Sequence, residues 1–519
     1  MEDHYHKHGL DLRNPPPPPK ENVTPPPAPE PKPKPKPKRK VKPMIIVTAL
    51  LITALIAAGV FWFFGRGAGA AAWEQNYLMS DAIDYESTNI TEKTEQASAH
   101  PVLGSGLTRN QIRAVYFLDT LEDIPSSSWD VSAVQNGSVM AWTKLNGNLY
   151  ELYIAAEGGV NGSAACESLF AGYTNVEKID FGGNFHTDQE ESMYCFFLGC
   201  GKLTELDASE LDVSNVTSMN SMFAGCSALT ELDVSGFDTA NAERMSHMFY
   251  HCSALTELDV SGFNTSNVKY MKSMFADCHA LTVLDVSDFN MGSVISMHYM
   301  FDGCSALTEL DVSGFDTASA ENMKYMFRDC SALTQLDVSG FVTSSVTDMR
   351  CMFNGCSGLT KLDVSEFDTS SVTDMYCMFN KCSALTELDV SSFNTTSVTD
   401  FSFMFNNCST LTELDVSNFD TSAATNMRAM FQSCSALTSL DVTGFNTSAV
   451  TDMGYMFYDC GSLTELDVSK FNTAIVEDME CMFRKCPAVT VEDVRNFNMD
   501  SVTAHDYFMD GTDWESLFK

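Results

Sequence analysis

Acidic side chains recur along this 519-residue chain at a fixed interval, and their chemistry suits ligand binding. An aspartate follows a recurring leucine by four positions in coil after coil, and the outward-facing candidates are Asp233, Asp259, Asp285, Asp311, Asp337, Asp363, Asp389 and Asp415. Carboxylates stacked about 5 Å apart would bind cations such as calcium, or a basic partner. Hydrogen bonds to neighbouring Ser, Thr or backbone amides are the alternative use of these groups.

Cysteines follow the same interval. Twelve of the 17 cysteines lie 26 residues apart, from Cys200 to Cys486. Zinc sites need two ligands only a few residues apart, so this spacing argues against a metal centre and favours a buried structural column. Four more cysteines each precede a column member by five residues: Cys195, Cys351, Cys377 and Cys481. A disulfide between Cys351 and Cys377 is an open alternative, because neighbouring coils lie within the Cα range of such a bond.

A repeating unit of 26 residues must position these side chains. The unit Leu229–Ala254 reads LTELDVSGFDTANAERMSHMFYHCSA, and its positions are numbered 1 to 26 below. Alternation over positions 3 to 7 predicts a strand with Leu232 and Val234 inside and Asp233 outside. The later apolar spacing, as in Val372, Met375, Met378, Phe379 and Cys382, predicts a short helix. The predicted fold is therefore α/β, a solenoid with one short strand and one short helix per coil.

The units define the domain organisation. Eleven regular units start at Leu203 and continue to Leu463, after atypical units at Leu149 and Val176. A degenerate unit follows at Val489, so the solenoid of about 14 units is predicted over 149–511, with a tail over 512–519. Short strands in the non-repeating segment 107–148 predict a cap over the first open face.

The N-terminal part has a different composition. Residues 1–43 are rich in Pro and Lys and predict a disordered cytoplasmic segment. Residues 44–64, from Met44 to Phe64, carry no charge and predict a single transmembrane signal anchor. Small residues over 67–72 make a cleaved signal peptide the alternative. A polar stalk is expected over 65–106, and the basic flank orients the repeats outside the cell.

Charge limits the classes of partner. The whole chain has a formal net charge of -38, and beyond residue 43 there are 21 Lys and Arg against 64 Asp and Glu. Such an acidic surface repels phosphate backbones, so we expect no nucleic-acid binding. We also expect no enzyme activity, because the histidines are scattered and no nucleophile motif is present. No catalytic or cofactor-binding residues, and no firm metal ligands, are predicted.

The unit L-x-x-L-D-V-S-x-F-x-T-[ST]-x-V-x-x-M-x-x-M-F-x-x-C resembles the BspA-like leucine-rich repeat surface proteins of bacteria. The resemblance covers residues 149–511 and implies a membrane-anchored cell-surface protein that binds protein or glycan on a host or neighbouring cell, as an adhesin does. A structural envelope spacer without a specific ligand is the alternative. Position 9 departs from ordinary leucine-rich repeats, because Phe237 and its equivalents replace asparagine. Ser, Thr or Asp must then supply the bonds of the asparagine ladder.

Overall fold

The computed structural model describes residues 76–511 and 514, apart from 81, 82, 84–86, 164 and 165. The described residues all belong to one compact unit, residues 69–519. The predictions for 1–43 and for the anchor 44–64 lie outside the described residues, as does most of the tail 512–519. Among the described residues, no helix has the length and apolar character that crossing a membrane requires.

Helix α1 (Ile90–Ser98) occupies part of the range expected to be a stalk. Its first turn is capped by Asn89, whose side chain accepts bonds from the amides of Thr91 and Glu92. The helix lies against the repeats, where Gly172 is in close contact with its C-terminal backbone. From Asn76 onward the described part of the expected stalk is therefore folded onto the repeats, because it buries Leu78 and Ala97 there.

A five-stranded sheet follows α1 and a short 3-10 helix (Arg109–Gln111). Its strands are β1 (Ile112–Leu118), β2 (Trp129–Asp130), β3 (Met140–Asn146), β4 (Leu149–Ala155) and β6 (Lys178–Asp180), in the order β2-β3-β4-β1-β6. Strands β3 and β4 pair antiparallel, whereas β1 pairs parallel with β4 and with β6. The strands predicted before the repeats are confirmed, and β1 lies between the strands of the first two atypical units.

Short parallel strands continue from this sheet into the repeats. Strands β8 (Glu205–Asp207) and β9 (Glu231–Asp233) pair in register, and a separate two-stranded sheet joins β5 (Val160–Asn161) to β7 (Phe185–His186). Later coils keep single bridges at the same position, such as Glu257 with Val283. The predicted alternation is confirmed, because Leu258 and Val260 are buried while Asp259 is exposed.

The predicted helix of each coil is wrong: the described residues of the repeats contain no α-helix. Successive turns take its place, and their amides at positions 17, 19, 21 and 23 donate to carbonyls of the next coil. In one coil, the amides of His247 and Phe249 donate to the carbonyls of Lys272 and Met274 at 2.7 and 2.9 Å. Left-handed backbone at positions 19 and 23, for example φ 58° at His247, turns these amides toward the neighbour and away from an i→i−4 bond.

The core runs between the strands and the turns. Phe at position 21 forms a continuous stack, with ring centroids 5.8 Å apart from Phe327 to Phe353 and from Phe353 to Phe379. The column cysteines are buried beside this stack, and each thiol from Cys200 to Cys460 donates to the carbonyl of an aromatic residue in the preceding coil. Cys330 Sγ, for instance, lies 3.1 Å from the Phe301 oxygen. The buried column is confirmed, with a hydrogen bond that the sequence did not indicate.

Candidate functional site

The predicted carboxylates all lie on the exposed strand side, and each one bonds within its own coil. Oδ1 of Asp259 accepts from the amide of Ser261 at 3.0 Å and from its hydroxyl at 2.7 Å. The amide bond recurs at the other seven candidates: Asp233, Asp285, Asp311, Asp337, Asp363, Asp389 and Asp415. The alternative use of these side chains, bonding to a neighbouring serine, is therefore observed.

In seven of these coils the serine bonds also lower the pKa of the aspartate: Asp233, Asp259, Asp285, Asp311, Asp363, Asp389 and Asp415. Hydrogen bonds from the Ser261 hydroxyl and amide hold the pKa of Asp259 below its usual value, and Ser313 does the same for Asp311. The carboxylates therefore stay charged at neutral pH. Among the described residues, no group of three or more His, Cys, Asp or Glu is arranged to hold a metal ion. Calcium binding stays a prediction.

The strand side forms a groove over the first regular coils, with a cavity volume of about 960 Å³. Its lining comes from three adjacent coils and includes Glu231, Asp233, Glu257, Asp259 and Asp285. A second groove of about 450 Å³ extends it toward Lys178 and shares Glu231 and Asp233. We call these two together the strand groove.

One apolar side chain interrupts the acidic lining. Val283 occupies position 3, where the preceding coils carry Glu231 and Glu257, and it is 61% exposed. Thr230 and Thr256 add hydroxyl groups at the same edge. The strand groove therefore has an exposed apolar side chain at one end and carboxylates along the rest of its length, a combination that matches an apolar side chain next to basic ones.

The turns form a second surface, the turn face, made of the side chains at positions 16 and 18. Early in the array, a groove of about 510 Å³ is lined by Ser192, Tyr194, Ser218, Asn220 and Arg244, among others. Strand position 5 is aspartate in every regular coil, but position 18 varies from coil to coil: Asn220, Ser246, Lys272, His298, Lys324, Arg350, Tyr376, Ser402 and Arg428. Because the core does not dictate these residues, individual coils differ in the chemistry that they present on the turn face.

Two of the scattered histidines lie on or beside the turn face. Burial lowers the pKa of both His247 and His298 to about 4, so both are neutral near pH 7. Ser296 Oγ is 2.7 Å from His298 Nδ1. Within the described residues no further side chain bonds to Nε2, so the pair lacks the orienting group of a catalytic triad.

Two of the cysteines at position 19 contact each other without forming a disulfide bond. All 17 cysteines are free thiols, including Cys351 and Cys377 in adjacent coils. A hydrogen bond from the Cys377 thiol lowers the pKa of Cys351, and the same contact raises that of Cys377. The proposed disulfide is therefore not formed in this structure.

Sequence reasoning missed a buried acid near the start of the array. Glu190 is fully buried, and its Oε2 accepts from the amide of Cys166 at 3.2 Å. Burial raises the pKa of Glu190 to about 7 and that of the Cys166 thiol well above its ordinary value. No spacing rule points to this pair, because both residues lie in atypical units.

Comparison with known families identifies the repeats. The family described as "Mycoplasma protein of unknown function, DUF285" matches residues 164–282, 256–355, 280–385, 334–439 and 404–515. Together these overlapping matches span most of the chain. No curated protein matches it. The repeat organisation is therefore confirmed, whereas the resemblance to BspA-like proteins stays a prediction.

Proposed function

The chain belongs to the DUF285 repeat family, and from that premise we propose that it is a membrane-anchored cell-surface protein that binds a macromolecular partner, as an adhesin. The proposal places the anchor at Met44–Phe64, the repeats outside the cell and no catalytic activity in the chain. The uncharged segment supports the anchor, and the basic residues before it support the orientation.

The strand groove is the single observation that carries the binding proposal. Val283 and carboxylates from three coils line one continuous groove, so an apolar contact and a charged contact are available to the same partner. The carboxylates along the groove select by charge, and Val283 at its end supplies an apolar contact. The partner that fits is a protein segment with an apolar residue between lysines or arginines.

Binding is tested with the compact unit, residues 69–519, against matrix proteins and mucin in a plate or surface-plasmon assay. The fragment starts at 69 because α1 and the residues before it cover the first coils. Val283→Glu restores the residue of the preceding coils and should weaken binding by about tenfold or more. Val342→Asp is the matched control, because Val342 is also exposed but lies outside the groove lining. Most other coils carry Asp or Asn at the repeat position of Val342, so the substitution suits the fold.

Four outcomes would contradict parts of the proposal or the calcium prediction. Equal binding by both variants would exclude the strand groove, and no binding to any partner would favour the envelope spacer.

Protease treatment of intact cells tests the topology, because repeats that survive until the membrane is broken would lie inside the cell. Titration with millimolar calcium tests the cation prediction, and an unchanged melting temperature would exclude it.

A further inference from the structure

Four successive coils carry a basic side chain at position 18 of the turn face. Lys272, His298, Lys324 and Arg350 are 26 residues apart, and we call them the basic column. The backbone fixes their alignment: the amides at position 19, in Ser273, Tyr299 and Tyr325, donate to the carbonyls of His298, Lys324 and Arg350 at 3.0, 3.0 and 2.8 Å. Consecutive members are therefore about one strand spacing, ~5 Å, apart.

The charges of the column are unevenly paired. Arg350 bonds to Asp348 at 2.8 Å, and Lys324 lies 3.6 Å from the same carboxylate. Lys272 is half-buried and makes no ion pair with any described residue. Burial, together with the charge of Lys324, lowers the pKa of Lys272. A half-buried cation near a second cation, Lys324, is unfavourable without a counter-ion, and the described residues supply none at this end of the column.

Groups that suit a sugar lie near this end. Tyr270, two residues before Lys272, is 36% exposed, and the Arg244 guanidinium lies over its ring at 5.6 Å. Tyr299 and Tyr325 stack on each other with ring centroids 4.6 Å apart. Ser296 holds Nδ1 of His298, which leaves Nε2 without a hydrogen-bond partner among the described residues. An exposed aromatic ring, a ring nitrogen able to form a hydrogen bond and an unpaired ammonium suit a sugar ring with an acidic substituent.

We propose that Lys272, His298 and Lys324, with Tyr270 beside them, form a site for an acidic sugar, whose carboxylate or sulfate group lies over His298 between the two lysines. The Lys272 ammonium pairs with the anion, Lys324 adds positive charge from two coils further along, and the exposed tyrosine packs against the ring. This site is separate from the strand groove, shares no residue with it, and does not depend on the proposed function.

Charge favours a sparsely charged glycan over other polyanions. Asp302, Asp277 and Asp348 carry negative charge in the same or adjacent coils, and the chain beyond residue 43 has an excess of 43 negative charges. Closely spaced phosphates or a run of glutamates would meet this repulsion along their whole length. A sugar with a single anionic group would place that group at the basic column and would face little of this repulsion elsewhere.

The test uses residues 69–519 and saturation-transfer NMR or calorimetry. Sialyllactose supplies the carboxylate, a monosulfated lactose supplies the sulfate, and lactose is the neutral control. We expect millimolar or tighter binding of at least one acidic sugar, with lactose bound at least about tenfold more weakly. A short DNA single strand and polyglutamate serve as the competing polyanions.

The variant Lys272→Gln should weaken binding of the acidic sugar by about tenfold or more, and Lys272→Arg should keep most of the affinity. Lys361→Gln is the matched control, because that lysine is exposed on the strand side and paired with Glu387 at 2.6 Å. Bound ligand should also raise the pKa of His298, read from its ring-proton shifts, because a nearby anion favours the charged imidazole.

The proposal is overturned by any of three results: no binding of either acidic sugar, equal binding of lactose, or unchanged affinity in Lys272→Gln. Tighter binding of DNA or polyglutamate than of the sugars would also overturn it. Circular dichroism of Lys272→Gln and of a second variant, Lys324→Gln, separates a lost site from a lost fold. A folded variant without affinity supports the site.

Discussion

Thr239 Oγ1 bonds to both backbone polar groups of Asn264 in the next coil: it donates to the carbonyl at 3.1 Å and accepts from the amide at 2.8 Å. The same pair of hydrogen bonds joins Thr369 to Asn394, Thr421 to Asn446 and Thr473 to Asn498. These threonines at position 11 are buried. Threonine therefore supplies the ladder that asparagine supplies in ordinary leucine-rich repeats.

Replacing Thr239 with valine should destabilise the array. Valine keeps the shape but removes both bonds, and the partly buried amide and carbonyl of Asn264 lose their partner, at a cost of about 1 to 3 kcal/mol. Thr239→Ser keeps the hydroxyl and is the matched control. Urea unfolding of residues 69–519 measures both. Equal midpoints for the valine and serine variants would show that the bonds contribute nothing.

Alkaline pH should weaken the column of buried thiols. Burial raises the pKa of Cys278 from 9.0 to about 12 in the folded protein. A raised folded pKa gives stability that is complete below pH 9 and is lost as pH rises toward 12, because the unfolded thiol ionises first.

The variant Cys278→Ala isolates this effect from other alkaline titrations. Wild type should be the more stable protein at pH 7, and its advantage should shrink by roughly 1.4 kcal/mol per pH unit above pH 9. Urea midpoints at pH 7, 9 and 10.5 measure the difference. An advantage that does not change with pH would mean that Cys278 is not protected from ionisation.

The repeat period and the inside-outside pattern of the strands could be predicted because each coil meets the same environment. Leu258 and Val260 alternate with Asp259 as strand geometry requires, and the identical interval of the cysteines placed them all in one buried column. Each copy of the 26-residue unit therefore supported the burial pattern inferred from the others.

The helix could not be distinguished from turns by apolar spacing alone. Met375, Met378 and Phe379 recur at three- and four-residue intervals in both, because a chain of tight turns also returns to the core every three or four residues. The overlooked signal is position 23, where Gly225, Gly303 and Gly355 adopt positive φ. Glycine recurring inside a supposed helix argues against it.

Contacts outside the repeat had no such signal. Helix α1 packs on the first coils, and Glu190 accepts a hydrogen bond from Cys166. The residues in both contacts lie at positions that the regular units do not repeat. Without a second copy to show which positions share an environment, composition described the region before 107 only as polar. Its apolar anchors, such as Ala97, are too few to predict a buried face.

The variant Glu190→Gln should remove a pH dependence of stability. The pKa of Glu190 is raised from 4.5 to about 7 by burial, so its contribution to stability is complete below pH 4.5 and is lost as pH rises through 7. Wild type should lose up to about 3 kcal/mol between pH 5 and pH 8, and Glu190→Gln should not. The control is Glu191→Gln, an exposed neighbour. Thermal melts at both pH values measure the change, and parallel behaviour of the two variants would contradict the assignment.

Gly172→Ala should detach helix α1 from the repeats. Gly172 has φ 74°, and an added Cβ would lie 2.3 Å from the carbonyl carbon of Ala97 and from the amide nitrogen of Ser98. The backbone cannot move aside as a flexible side chain can, so we expect the free energy of unfolding to fall by more than about 1 kcal/mol. Gly262→Ala is the matched control, because a methyl group added there would meet no atom within 4 Å and its φ is not positive. Hydrogen exchange over 90–98 should rise in Gly172→Ala alone. Unchanged protection of α1 would mean that the helix is held mainly by other contacts, such as the bond from Lys93 to Tyr194.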